Sequence, residues 1–142
     1  MLRGMRVREL MKSALTALCS LLITACASTT MERAPVLQIE GVRMENQTQM
    51  WVSAVSLLVP VSGNFVSCGN ISPGTMCSTT FPETGYTGNP VEITWSQGGQ
   101  IHSTGQFVLQ IPEQLDKTRP ALVRVVISGP TSAGAILVQR QE

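Results

Sequence analysis

Four cysteines, a single histidine, two tryptophans and a single tyrosine are the side chains of this 142-residue chain best suited to chemistry or recognition. Cys68 and Cys77 lie in Phe65-Val66-Ser67-Cys68-Gly69-Asn70-Ile71-Ser72-Pro73-Gly74-Thr75-Met76-Cys77, which reads as two strands joined by a turn-rich loop. A cysteine pair can hold a metal, exchange electrons or form a structural disulfide. The nine-residue spacing without a nearby histidine argues against zinc, and no Cys-x-x-Cys suggests a thiol oxidoreductase. Directly opposed strand residues can meet the Cβ separation of about 4 Å that a disulfide needs. Closing a ten-residue ring stabilises a fold by roughly 2–3 kcal/mol on the chain-entropy model. His102 would be the base of a hydrolase only with a nucleophile and an orienting acid beside it. No serine stands in Gly-x-Ser-x-Gly, and the expected place of His102 is the solvated face of a strand. The carboxylates are scattered apart from Glu113 and Asp116, so a glycosidase-like pair has no support.

Among the aromatics, Trp95 continues the apolar face of Val91 and Ile93 and is expected in the core. Trp51 follows Met50 in a strand with no clean phase, and if exposed would mark a binding surface. Tyr86, in the loop Thr84-Gly85-Tyr86-Thr87-Gly88-Asn89-Pro90, either packs across one end of the fold, the favoured reading, or contacts a partner. The glycine-rich loops lack a strand–Gly-x-Gly–helix context and are not phosphate cradles, so no cofactor and no metal is expected. Asn46-Gln47-Thr48 and Asn70-Ile71-Ser72 match the glycosylation pattern but are expected to be inert.

The elements that must position these groups begin after an export signal. Arg3, Arg6, Arg8 and Lys12 precede the uncharged, mostly apolar run from Ser13 to Ala25. A basic start, a short apolar stretch and small residues at a cut site form a secretory signal. The run is too short to span a bilayer, which takes about 20 apolar residues. Met11-Lys12 with the same stretch would itself form a complete short signal. The segment Leu22-Ile23-Thr24-Ala25-Cys26 resembles the lipobox of bacterial lipoproteins. The resemblance implies cleavage before Cys26, a diacylglyceryl group on its thiol and often an acyl chain on its amine. Two or three chains anchor firmly where one binds reversibly. Ala27 in place of an acid resembles the outer-membrane default of that family. The alternative is an ordinary secretory signal that happens to contain a cysteine. Cys19 lies inside the signal and needs no function. An exported chain meets an oxidising periplasm, which favours a disulfide between Cys68 and Cys77.

Beyond the signal, six basic and eight acidic side chains leave a net charge of about −2, although the whole chain stands at +1. No basic patch remains, which argues against nucleic acid as a partner. Residues 26–35 read as a lipidated N-terminus and polar tether, and 36–142 as one domain. Strands are expected at 36–44, 50–59, 64–68, 75–81, 91–96, 100–111, 121–128 and 133–139, separated by Gly, Pro and Asn. At most one helical turn is expected between Pro112 and Thr118, in a crossover between sheets. Val91, Ile93 and Trp95 alternate with polar residues. So do Ile101, Ser103, Gly105, Phe107, Leu109 and Ile111, with Val108 the exception. Keeping both apolar sets on one face requires a three-residue Gln97-Gly98-Gly99 loop that pairs Trp95 with Ile101.

The pattern predicts an all-β, immunoglobulin-like antiparallel sandwich of seven or eight strands. Val42-Arg43-Met44-Glu45-Asn46-Gln47-Thr48 and Val55-Ser56-Leu57-Leu58-Val59 are similar to small immunoglobulin-like envelope lipoproteins of unknown function. The resemblance implies a fold and not an activity. The expected role is a non-enzymatic interaction module, held to the membrane by lipid on Cys26 and facing an envelope protein. The alternatives are an accessory subunit of a secretion or assembly machine, and a peptidoglycan hydrolase or hydrolase inhibitor.

Overall fold

The computed structural model of the chain describes residues 36–140. The signal, Cys26 and the tether lie outside the described residues, and the expectations made for them are not addressed by it. Eight strands form: β1 (Ile39–Asn46), β2 (Val52–Val59), β3 (Asn64–Ile71), β4 (Met76–Thr79), β5 (Val91–Gln97), β6 (Gln100–Phe107), β7 (Ala121–Gly129) and β8 (Ser132–Gln139). They make two four-stranded sheets, β4-β1-β7-β8 and β3-β2-β5-β6. The chain is therefore an all-β sandwich, as its punctuated apolar segments predict. The Pro112–Thr118 segment is a pair of turns, Leu115 N–H donating to Pro112 O and Arg119 N–H to Asp116 O, and it carries the chain from one sheet to the other.

The core follows from period-two alternation. β5 turns Val91, Ile93 and Trp95 inward, and β7 turns Ala121, Val123, Val125 and Ile127 inward; all are buried. Five of the six ladders are antiparallel, but β1 runs parallel to β7, from Ile39 opposite Ala121 to Asn46 opposite Ile127, which a purely antiparallel expectation does not allow for. Parallel neighbours need a long crossover between them, and the intervening strands of the other sheet supply it.

The three-residue hairpin between β5 and β6 does not form. Gln97 pairs with Gln100 and Trp95 with His102, leaving a two-residue Gly98-Gly99 turn. Both glycines have positive φ, 60° and 77°, the backbone that a tight two-residue hairpin demands. Only unbroken alternation along 100–111 would require the longer loop, and a bulge breaks that alternation. Glu92 pairs with Gln106 but Thr94 with Ser103, so β6 carries an extra residue at Thr104-Gly105. Gly105 has φ +65°, and Ile93 N–H donates to Thr104 Oγ1 at 3.0 Å. Ahead of the bulge His102 and Thr104 share the inward side with Trp95; beyond it Phe107 does. His102 is consequently half-buried and stacked on Trp95, with ring centroids 5.4 Å apart, and not on a solvated face. Ile101 points outward and is 86% exposed.

A second bulge accounts for the missing phase of β2. Ser53 pairs with Ser96 but Ser56 with Thr94, so Val52 faces inward and, after one extra residue, Val55, Leu57 and Val59 do. The residue at the kink is Ala54, with φ 49°. This left-handed conformation costs an L-residue about 1–2 kcal/mol, more than the roughly 0.5–1 kcal/mol of unfolded-chain entropy that glycine adds. Ala54→Gly is expected to raise stability by about 0.5 kcal/mol in urea unfolding, and Ala54→Val to lower it by about 1–2 kcal/mol, because a β-branched side chain tolerates positive φ least.

Across β1 and β7, Arg124 clasps Glu45 with two hydrogen bonds, Nε to Oε1 at 2.9 Å and Nη2 to Oε2 at 2.8 Å. The guanidinium bonds hold the Glu45 carboxyl below its ordinary 4.5. A carboxylate whose folded value is depressed stabilises the fold above its unfolded value and loses that contribution as pH falls through the folded one. With Arg124 partly open to solvent, the contribution is at most about 1 kcal/mol. Denaturation of wild type and Glu45→Gln should therefore differ above pH 4.5, and the difference should fade below it.

Candidate interaction surface

The loop joining β1 to β2 passes from one sheet to the other and ends on Met50 and Trp51. Its shape is set by Asn46, the last residue of β1, which is 1% exposed. The Asn46 side-chain amide donates to Met50 O at 2.7 Å and to Ile71 O at 3.0 Å. Its carbonyl accepts Thr48 N–H at 2.9 Å and lies 2.7 Å from the Thr48 hydroxyl. Main-chain bonds from Asn46 N–H to Thr75 O and from Gly74 N–H to Asn46 O fasten the β3–β4 turn to the same point. Gln97, buried at the end of β5, donates from Nε2 to Thr48 Oγ1 at 2.8 Å. Two connections at one end of the sandwich thus meet on the buried Asn46, and the third reaches it through Thr48. An Asn followed two residues on by Thr is a local signal for a side-chain-closed turn. That motif was legible in Asn46-Gln47-Thr48, whose other reading, a glycosylation acceptor, would require an exposed amide.

On this platform Trp51 is 61% exposed and Met50 53%. An exposed tryptophan is the condition under which sequence reasoning assigned a binding surface to residue 51. The pairing Ser53–Ser96–Ile101 puts Ile101 on the outward side of the sheet at the same end, beside the Gly98-Gly99 turn. The Met50 methyl reaches to 3.8 Å from where a Cβ on Gly98 would stand. Met50, Trp51 and Ile101 therefore give one end of the β3-β2-β5-β6 sheet three exposed apolar side chains. No charged residue lies in Gln47–Val52 or Ser96–Ile101, so the surface is apolar and amide-rich.

Tyr86 does not belong to a surface. It is 5% exposed, bridged to Leu37, and its hydroxyl accepts Leu109 N–H at 2.9 Å. Burial raises its ionisation above the ordinary 10.0. The packing role stands and the partner-binding role falls, because that hydroxyl is spent closing the end of the fold. Phe65, 65% exposed, pairs with Leu58 near the β2–β3 turn, at the other end of its sheet from Trp51.

Cys68 and Cys77 are joined, with Cα atoms 6.0 Å apart. The bond arises differently from the opposed-strand pairing expected. β3 and β4 belong to different sheets and form no ladder with each other, and the disulfide clamps the two sheets at one edge. A bulge in β3 at Cys68-Gly69, where Val55 pairs with Gly69 and Ser56 with Ser67, bends the strand there; Gly69 has φ +66°. Of Glu113 and Asp116, the carboxylates close together in sequence, Asp116 is committed to its own turn, accepting Thr118 N–H at 2.9 Å and the Thr118 hydroxyl at 2.6 Å. These bonds hold it below its ordinary 3.8. Among the described residues no three His, Cys, Asp or Glu side chains gather as metal ligands would.

No protein-family model matches the chain, and no curated protein matches it. Among solved structures, the chain is similar to the NMR structure of a protein from Eubacterium rectale, at 11% identity and a TM-score of 0.44, over 74% of this chain and 91% of that one.

Proposed function

We propose that this chain is a lipid-anchored lipoprotein of the bacterial envelope whose sandwich is a non-enzymatic protein-interaction module. The lipobox-like segment ending at Cys26 supports the anchor, and Ala27 supports the outer membrane as its site. The observation that carries the interaction role is Trp51: a tryptophan 61% exposed on a loop made rigid by a buried asparagine. Tryptophan is enriched among residues that dominate binding energies, since it buries a large area at low conformational cost. Met50 and Ile101 widen the contact, and the uncharged surround suits a partner of mixed apolar and amide character.

Two measurements test the two halves separately. Mass spectrometry of the native protein should find Cys26 as the acylated first residue; a free thiol, or residues 1–25 still attached, overturns the anchor. A photoreactive amino acid at position 51 or 101 should form one common protein adduct in cells. Position 61, 72% exposed at the opposite turn, should not form it. Adducts only to lipid, or the same adduct from all three positions, overturn the interaction surface.

A further inference from the structure

The outer face of the β4-β1-β7-β8 sheet carries a positive charge that the fold leaves unmatched. Arg43 stands in the middle of this face, in register with Ser78 of β4 on one side and Arg124 of β7 on the other. Like charges opposite each other destabilise a strand pair, so a balancing anion is needed nearby. Glu45, two residues along β1, is a carboxylate of that face, but Arg124 takes both of its oxygens. The Arg43 Nε–H is closed to solvent and meets no acceptor among the described residues. A buried charged donor without an acceptor is costly and rare in folded proteins, and it calls for a reason.

Shape accompanies the charge. Gly41 shares the face of Arg43 by strand alternation and leaves its place there without a side chain. A Cβ on Gly41 would come to 3.1 Å from Thr79 O and 3.5 Å from Leu122 Cδ1. Beside it lie two adjoining hollows of about 300 and 250 Å³, both walled by Arg43, Leu122 and Arg140. The first runs on to Val138 and the second to Ser78 and Glu40. Arg140, just past β8, is exposed and adds a further guanidinium. Glu40 sets one carboxylate against these two cations, so the groove keeps a net positive charge.

We propose that this groove is a phosphate-binding site, in which Arg43 grips the group through Nε–H and a terminal N–H while Arg140 supplies the second positive charge. A guanidinium presents parallel N–H donors in a fixed fork, and two oxygens of a phosphate accept them together. The Ser78 hydroxyl, opposite Arg43 on the same face, is placed to donate to a third oxygen. A phosphate monoester carries about −1.5 to −2 near neutral pH, which two guanidinium groups match and a lone carboxylate would not. Hollows of this size take a small phosphorylated molecule or one lipid headgroup, with Leu122 and Val138 as apolar wall. The site lies on the other sheet from Trp51 and depends neither on that surface nor on lipid at Cys26.

The test is an NMR titration of the isotopically labelled protein as isolated from cells. Inorganic phosphate, added at constant ionic strength, should move the Arg43 Nε–H resonance with a Kd on the order of 1–10 mM, as for a charge-assisted fork partly open to water. The amides of Gly41 and Ser78 should move with it and report binding in the variants. Arg43→Gln should abolish the response. Arg43→Lys should weaken it about tenfold, because a point charge replaces the fork. Lys117→Gln, an equal loss of charge outside the groove, should leave it unchanged. None of these side chains is in the core, so each variant should keep the Trp95 near-ultraviolet signal of a packed fold. Glycerol phosphate and short-chain phosphatidylglycerol then separate the sources: tighter binding of the first assigns a soluble phosphate ester, of the second a membrane headgroup. An Arg43 resonance indifferent to phosphate overturns the proposal. So does a response retained in a folded Arg43→Gln chain, or acetate bound as tightly as phosphate.

Discussion

Asn46→Ala is expected to lower the stability of the sandwich by about 3 kcal/mol, because it strips partners from several buried groups at once. The substitution removes the donors to Met50 O and Ile71 O and the acceptor for Thr48 N–H and its hydroxyl. Ile71 is buried, so its carbonyl has no route to water in compensation. For a domain of this size such a loss lowers Tm by roughly 10–20 °C. Asn46→Asp separates hydrogen bonding from shape. At neutral pH it sets a carboxylate oxygen against two carbonyl oxygens, so it should be at least as damaging as alanine. Its folded-state ionisation is pushed up, so the aspartate variant gains stability as pH falls, the reverse of the Glu45 dependence. Thermal unfolding across pH checks both. The same variants should lower the fluorescence anisotropy of Trp51, since the loop that presents it is closed by Asn46. Loss of less than about 1 kcal/mol from Asn46→Ala would mean that the network contributes no more than one ordinary exposed hydrogen bond.

Removing the disulfide is the second large effect. Cys68→Ala with Cys77→Ala should cost roughly 2–3 kcal/mol on the entropy of a ten-residue ring. Structure adds where the loss is felt. β4 is held by its four-residue ladder with β1 and by Cys77, with no ladder to β3. Without the bridge, amide hydrogens of Met76–Thr79 should exchange faster than those of β7, which is paired on both sides. Denaturant unfolding gives the magnitude and hydrogen exchange gives the location. An unchanged β4 would show that its pairing with β1 suffices. Since Asn46 also binds Gly74 and Thr75, the asparagine and cysteine variants act on one connected turn and should combine non-additively.

The physics of single strands was readable from the chain. Eight apolar segments between turn residues predicted eight strands, because alternation and turn chemistry are local properties of a few neighbouring residues. The Cys68–Cys77 bond and the inward place of Trp95 followed the same way, from compartment and from parity within one strand. Gly105, a glycine inside a strand pattern, and Val108, out of phase with its neighbours, were the signs of the β6 bulge. Gly98-Gly99 was the sign of the two-residue turn. Their weight was visible only with the partner strand in view.

What the tertiary structure alone decided is which strand lies beside which. A bulge is a count of residues against a partner, so the phase switches at Ala54 and Gly105 cannot be counted along one strand. Whether Cys68 and Cys77 face each other within a sheet or between sheets depends on where β4 finds its neighbour, and that neighbour is β1. The burial of Asn46 and of the Tyr86 hydroxyl, and the exposure of Trp51, likewise depend on backbone groups far away in sequence. Local alternation dictates two faces for every strand; only the assembled sheets determine which face meets the core and which is left to meet another molecule.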